Sequence, residues 1–341
     1  MTKLTVLGCL LLALPPLVLV LLLMPVIPDL QRWDSVTVSY VLYTTRWVLF
    51  STGLVAVVFS IIRPWTQSTR RRKIITISCG IISLLPMLLT PRFMSAERIF
   101  QAPTSFSFSP ATADDVDLRC MVVSIGSTRK AYPIDVIAYH HLIADHVETT
   151  PVLVTYCTMC HSGRVFSPVV DGVVEQFRLV GANQFNAMME DGTTGSWWYQ
   201  ATGECIAGPR KGMQLKEIDF SHDPLTPTTL VYRPSPTDAP RLHAYKGFAR
   251  RSDTSSVLTD RARVFAFRFR DSAYAIPHSV AFAYHGKGPW LPLHGTALVF
   301  QTDSTNGYVS LVDSTSGKLI QVYDEYWHSW RTFNPTTRIL R

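Results

Sequence analysis

The sequence predicts an α+β, mainly β, domain with an internal duplication of a strand–turn–strand–helix–strand unit, preceded by an N-terminal membrane region of three α-helices. Three observations predict it. The long apolar blocks are confined to the first ninety of 341 residues. Beyond residue 117, short β-type runs alternate with turn residues. The order of turn, proline, helix, strand and glycine then recurs 144 residues later.

The membrane region comes first. Leu4 to Ile27 is a nearly uncharged run of 24 residues, enough to cross a hydrocarbon core of ~30 Å at ~1.5 Å per residue. It is too long for a signal peptide and lacks a small-x-small cleavage site. Two further spans are expected at about residues 41–62 and 74–89, with Arg46 near one end of the second, where it can snorkel. The loop Arg63–Lys73 carries five positive charges and no negative one, which predicts a cytoplasmic loop. Three spans then put residues 91–341 on the extracytoplasmic side of the cytoplasmic (inner) membrane, where paired cysteines can oxidise. Residues 1–90 hold +6 of the formal +7, so the basic balance belongs to topology and nucleic acid is excluded as a partner. The membrane is the expected partner, and the sequence indicates no particular protein or small molecule. Cys9 and Cys79 lie in apolar spans and read as packing residues.

Residues 91–116 read as a linker and residues 117–341 as the extracytoplasmic domain. Repeat one spans about 118–179. Cys120–Ile125 is a strand, Lys130–Tyr132 its partner, and Pro133 opens a helix over Ile134–Asp145. Val152–Tyr156 leads to Cys157-Thr-Met-Cys160-His161, and Asp171-Gly172 is a two-residue hairpin signal. Repeat two spans about 262–323, with the strand Arg263–Phe269, the helix-like Ser279–Tyr284 after Pro277, and the strand Ala297–Phe300. At the 144-residue offset Ala131-Tyr-Pro133 meets Ala275-Ile-Pro277, and Gly163 meets Gly307. Cys157–His161 then meets Gln301-Thr-Asp-Ser304-Thr305, so the thiols serve a site rather than the shape of the loop. The insert 180–217 mixes small polar groups with Trp197 and Trp198, which suits either a cleft wall or core tryptophans. A Pro-rich stretch, 224–240, reads as surface loop.

Several motifs together resemble one family. They are Ala131-Tyr132-Pro133, then Val154-Thr155-Tyr156-Cys157-x-x-Cys160, then Asp191-x-x-Thr194-x-Ser196-x-Trp198-x-Gln200-x-Thr202-Gly203-Glu204-x-Ile206-x-Gly208-Pro209. With the closing Trp327-x-x-Trp330 and Asn334-Pro335-x-Thr337-x-Ile339-Leu340, the stretch 117–341 resembles the domain of unknown function 3179 family. The resemblance implies no activity. It implies a shared fold and a shared site around the cysteines, Asn186, Asp191, Ser196, Trp198 and Glu204. Cys205, where a small residue is expected, and His161 depart from the pattern.

Four chemistries suit Cys157–His161. Cys-x-x-Cys-His is the c-type haem attachment signature, with His161 as iron ligand and Met188, Met189 or another His opposite. Against it, the chain returns at once to strand at Gly163–Phe166. A redox dithiol needs a lowered thiol pKa, which Arg164 or protonated His161 would favour. A metal ion would take Cys157, Cys160 and His161, joined by Cys205, a Met or a carboxylate. A structural role would leave buried thiols or a disulfide, with Cys120 and Cys205 as a second pair. No Gly-x-Ser-x-Gly, phosphate loop, dinucleotide fingerprint or His-Glu-x-x-His is present. The expectation is thiol redox or metal handling at Cys157/Cys160, facing the Asn186–Glu204 segment. The rival is a binding or assembly module with structural cysteines.

Overall fold

The structure is a computed structural model. It describes residues 3–62, 69–238, 257–283, 290–293, 296–303 and 307–340. Three long apolar helices are followed by a mainly β domain of small sheets.

The helices are α1 (Lys3–Leu23), α2 (Val36–Ile62) and α3 (Arg70–Phe93), each long and apolar enough to cross a membrane. Their bounds differ from the expected spans. The first stops at Leu23, short of Ile27, because Pro25 and Pro28 follow and neither can donate to an α-helical ladder. The third is longer than 74–89. Thr69 accepts from the Arg72 N–H at its start, and the helix runs through Pro86 and Pro91. Without a hydrophobic drive between helices in lipid, close approach depends on small residues. A Cβ on Gly8 would come within 2.9 Å of the Gly53 carbonyl, and one on Gly53 within 2.9 Å of the Gly8 carbonyl. Arg63, which contributes to the charge argument for topology, lies outside the described residues.

The linker expected over 91–116 is built into the domain. It holds α4 (Ala96–Ile99) and β1 (Phe106–Pro110), which pairs with a strand in the stretch read as surface loop. Phe106 stacks on Tyr232, their centroids 4.9 Å apart, and Phe108 meets Tyr232 and Tyr132 edge-on. These aromatic contacts give the short strand the burial it needs.

The first half then runs β2 (Cys120–Ile125), β3 (Thr128–Pro133) and α5 (Ile134–His140). The helix is half the expected length. His141 takes φ 63° and turns the chain into β4 (Leu142–Val147), which continues to β5 (Thr150–Cys157) and β6 (Ser162–Phe166). The mini-hairpin β7 (Val169–Val170) and β8 (Val173–Val174) closes at Asp171-Gly172, both at positive φ, as the sequence predicts. The insert folds into an antiparallel sheet of β9 (Phe177–Asn183), β10 (Asn186–Asp191), β11 (Trp197–Tyr199) and β12 (Cys205–Ala207). Next, β13 (Leu230–Pro234) lies between β1 and β3, parallel to β3.

The second half has β14 (Arg263–Phe269), β15 (Ser272–Pro277) and α6 (His278–Ala283). A sheet follows of β16 (Trp290–Leu293), β17 (Thr296–Asp303), β18 (Tyr308–Asp313) and β19 (Leu319–Ile320). The chain ends with β20 (Val322–Tyr326), α7 (Trp327–Phe333) and β21 (Arg338–Ile339), which runs parallel to β15. The small four-stranded sheets suggest a β-propeller-like arrangement.

The 144-residue offset holds for the hairpins, since Ile125 pairs with Thr128 as Phe269 pairs with Ser272. It does not hold for the strands that follow. Gln301 sits mid-strand opposite Ser310, whereas Cys157 ends its strand opposite Ser162. The residue that ends β17 is Asp303, opposite Tyr308, so Asp303 rather than Gln301 holds the place of Cys157. Ser304 and Thr305 lie outside the described residues.

Candidate functional site

The thiols sit where β5 ends. Residues 158–161 turn the chain back, and Ser162 pairs with Cys157 to start β6. Both thiols are fully buried in a core with Phe166, Leu179, Met189 and Trp198. Their sulfurs are 2.9 Å apart.

What covers them is the turn between β9 and β10. Asn183 pairs with Asn186, leaving a two-residue loop, Gln184-Phe185, with φ of 49° and 62°. Such a turn normally recruits Asn or Gly, because a left-handed residue with a Cβ costs ~1–2 kcal/mol. Here the strained pair places the Phe185 carbonyl oxygen 3.1 Å and the Asn186 Oδ1 3.0 Å from the Cys160 sulfur. Asn186 is fully buried, and its Oδ1 also accepts from the Ser329 hydroxyl at 2.9 Å. The Tyr326 N–H donates to the Cys160 carbonyl, so the second half of the domain grips the same loop.

The hydrogen bonding separates the two thiols electrostatically. Burial pushes Cys157 up, but hydrogen bonds from the Cys160 thiol and from the backbone N–H groups of Cys160, Ala187 and Met159 bring it below its ordinary value. Burial and the neighbouring Cys157 sulfur push Cys160 up. Cys157 is therefore the more acidic sulfur of the pair.

His161 faces elsewhere. It takes φ 54°, and its Nδ1 lies 2.9 Å from the Tyr156 hydroxyl, its Nε2 3.8 Å from Asp324, with Tyr326 against the ring. Burial brings its pKa down to about 4, against the pull of Asp324. Asp324 also bonds His278 at 2.9 Å and pairs with Arg263. Despite burial, these partners hold its carboxyl below the usual range.

The other expected residues divide. Trp198 packs on the thiol core, and its Nε1 donates to Asp191 at 2.8 Å. Asp191 also accepts from the Thr194 N–H and meets Arg210 at 3.2 Å. Ser196 Oγ accepts from the Arg210 N–H at 3.2 Å. Asp191 and Ser196 therefore brace the β10–β11 turn rather than the sulfurs. Glu204 is exposed beside the β11–β12 turn. Trp197 and Trp198 are fully buried core, Trp197 against Tyr40 and Tyr43 of α2, so the tryptophans do not form an open cleft wall. Cys120 and Cys205 lie in separate cores, and both are free. Phe185, Ser329 and Tyr326 carry no motif of their own, although the sequence signal for Phe185 was available as the two-residue gap between apolar runs.

The residues present do not fit c-type haem. The pocket beside Met159 and Ala187 has a volume of only about 20 Å³, and the His161 ring is held by Tyr156 and Asp324. Among the described residues no three of His, Cys, Asp and Glu gather as a metal set. Two thiols alone fall short of the four ligands of a structural zinc site.

No curated protein and no solved structure matches the chain. A family model does match, from the last turns of α3 to the residue before β13, short of the Trp327–Leu340 tail that also carries the resemblance. Residues 85–229, with the thiol loop and the hairpin that covers it, match the model of the family described as "Protein of unknown function (DUF3179)".

Proposed function

We propose that Cys157 and Cys160 form a thiol redox pair in a membrane-anchored protein. The observation that carries this is the 2.9 Å contact between the two buried sulfurs, whose hydrogen bonding and mutual proximity shift Cys157 down and Cys160 up. A disulfide bond is ~2.05 Å, so closure requires the sulfurs to approach by roughly 0.9 Å. In exchange, the Cys157 thiolate attacks one sulfur of an incoming disulfide and expels the other as thiolate. Cys160 then attacks the Cys157 sulfur and releases the partner's remaining sulfur. The pair loses two electrons and two protons, and the partner leaves as a dithiol. Because both sulfurs are buried, the β9–β10 turn must lift before a partner can reach them.

The positive charges of 63–73 support placing residues 91–341 on the extracytoplasmic side of the inner membrane, an oxidising compartment. The duplication over 118–179 and 262–323 is supported by the shared order of hairpin, helix and antiparallel sheet, with a later strand parallel to the hairpin's second strand.

The test is a redox titration of the full chain in detergent, trapped by alkylation and read by mass. The expected result is a two-electron transition that Cys157→Ser and Cys160→Ser each abolish while the fold is retained. A pair that stays reduced across the glutathione and dithiothreitol range in folded protein overturns the reading. It would favour the second reading, structural cysteines in a binding or assembly module, which the complete burial of both thiols supports.

A further inference from the structure

A cavity of about 360 Å³ opens between α1, α2, α3 and the foot of β9. That volume falls within the ~300–1,000 Å³ range of small-molecule sites. Its walls are apolar, with Leu12, Leu19, Trp47, Phe50 and Met87 among them. Pro15 and Pro16 also line it. Having no N–H, they leave the carbonyls of Leu11 and Leu12, which also line the cavity, without their helical donors.

The rim carries two guanidinium groups of different standing. Arg178 is matched, 2.5 Å from Glu190 and 3.3 Å from Glu97. Arg46 is not. Its guanidinium lies 3.6 Å from the Tyr43 ring centroid and donates to the Tyr43 carbonyl, and no carboxylate meets it among the described residues. A half-buried cation at the edge of an apolar cavity calls for an anion. A planar guanidinium suits a phosphate in particular.

From this we infer that the cavity holds the hydrocarbon of a bilayer phospholipid, with its phosphate against Arg46. The inference rests on the helices crossing a bilayer, not on the thiol chemistry. Crossing is tested separately by resistance of the chain to alkaline carbonate extraction.

The binding test uses the full chain in a neutral maltoside detergent, incubated with mixed micelles and read by native mass spectrometry. Dioleoyl-phosphatidylglycerol should be retained at least fivefold better than dioleoylglycerol, which has the same chains and no phosphate. Arg46→Gln should remove that preference, and Arg46→Lys, which keeps the charge without the planar fork, should restore part of it, which a merely misfolded variant could not do. Equal retention of the two lipids by the native chain would overturn the phosphate contact. Displacement of the lipid by millimolar inorganic phosphate would also overturn the inference, by showing a site for the free anion alone.

Discussion

Two strand-to-strand connections of this molecule have the same length and different surroundings. β5 and β17 are each eight residues long, and four residues join each to its next strand. Both loops end on a left-handed residue, His161 at φ 54° in one and Gly307 at φ 73° in the other. Around the first lie the Phe185 carbonyl, Asn186, Ser329, Tyr156 and Tyr326. At the second, a Cβ on Gly307 would meet nothing within 4 Å. A connection of this length between paired strands therefore does not require sulfur. The thiol loop is distinguished by the hairpin laid over it, which contacts the Cys160 sulfur.

The largest expected effect is on chemistry. Replacing either Cys157 or Cys160 by Ser should eliminate the two-electron transition, whereas Asp303→Ala, at the matching strand end, should leave its potential unchanged. A shift in the Asp303 variant would show that the two loops are coupled.

Acid should next separate the loops. Folded His161 resists the proton that the unfolded chain accepts near pH ~6.5, so its contribution is full above that pH and is lost as pH falls towards about 4. The loss amounts to at most ~3 kcal/mol for a group this buried. Urea melts between pH 7 and 4 should show a steeper decline for the native chain than for His161→Gln. Parallel declines would mean that other groups, such as the buried His141, carry the acid sensitivity.

Asn186→Ala should cost ~1–3 kcal/mol, because it leaves the buried Ser329 hydroxyl without its acceptor. It should also alter the alkylation rate of the thiols, a readout that a purely structural loss at β17–β18 would not move. Smallest is the backbone effect. Gly307→Ala should cost about 1 kcal/mol from its left-handed φ alone, while His161→Gly should change stability by less than ~1 kcal/mol, relief of strain offsetting the lost Tyr156 contact. A melting series that reverses this order would break the equivalence of the two positions.

Much of this was legible in the sequence because alternation and turn chemistry are local. The β14 strand, the Asp171-Gly172 hairpin and the three apolar helices follow from such patterns. Pairing across long separations was not legible. Nothing local in Phe106–Pro110 indicates a partner 124 residues away in Leu230–Pro234. The helix from Ile134 ends sooner than its apolar pattern implies because nothing local marks His141, which takes φ 63° and stops it, as a terminator. The shift of two residues between the halves was invisible because a shared glycine, Gly163 with Gly307, aligned by identity rather than by backbone role. Of the site, the thiols were legible by their spacing, and Asn186 by family resemblance. Phe185 acts through its carbonyl, which any residue possesses.

That residue has a second attachment. Phe185 donates its N–H to Gln31, in the loop joining α1 to α2, and offers its carbonyl to the Cys160 sulfur. The side-chain amide of the neighbouring Asn183 accepts from the Ser35 N–H and donates to Asp34. One residue of main chain thus links the loop between two helices apolar enough to cross a membrane to a sulfur in a dry core. Helix tilt, which follows bilayer thickness, would be transmitted along it as a change in the distance between oxygen and sulfur. Gln31→Ala cuts this link without touching the thiols. The redox potential of the native chain should then vary between vesicles of short-chain and long-chain lipid, and that of the variant should not.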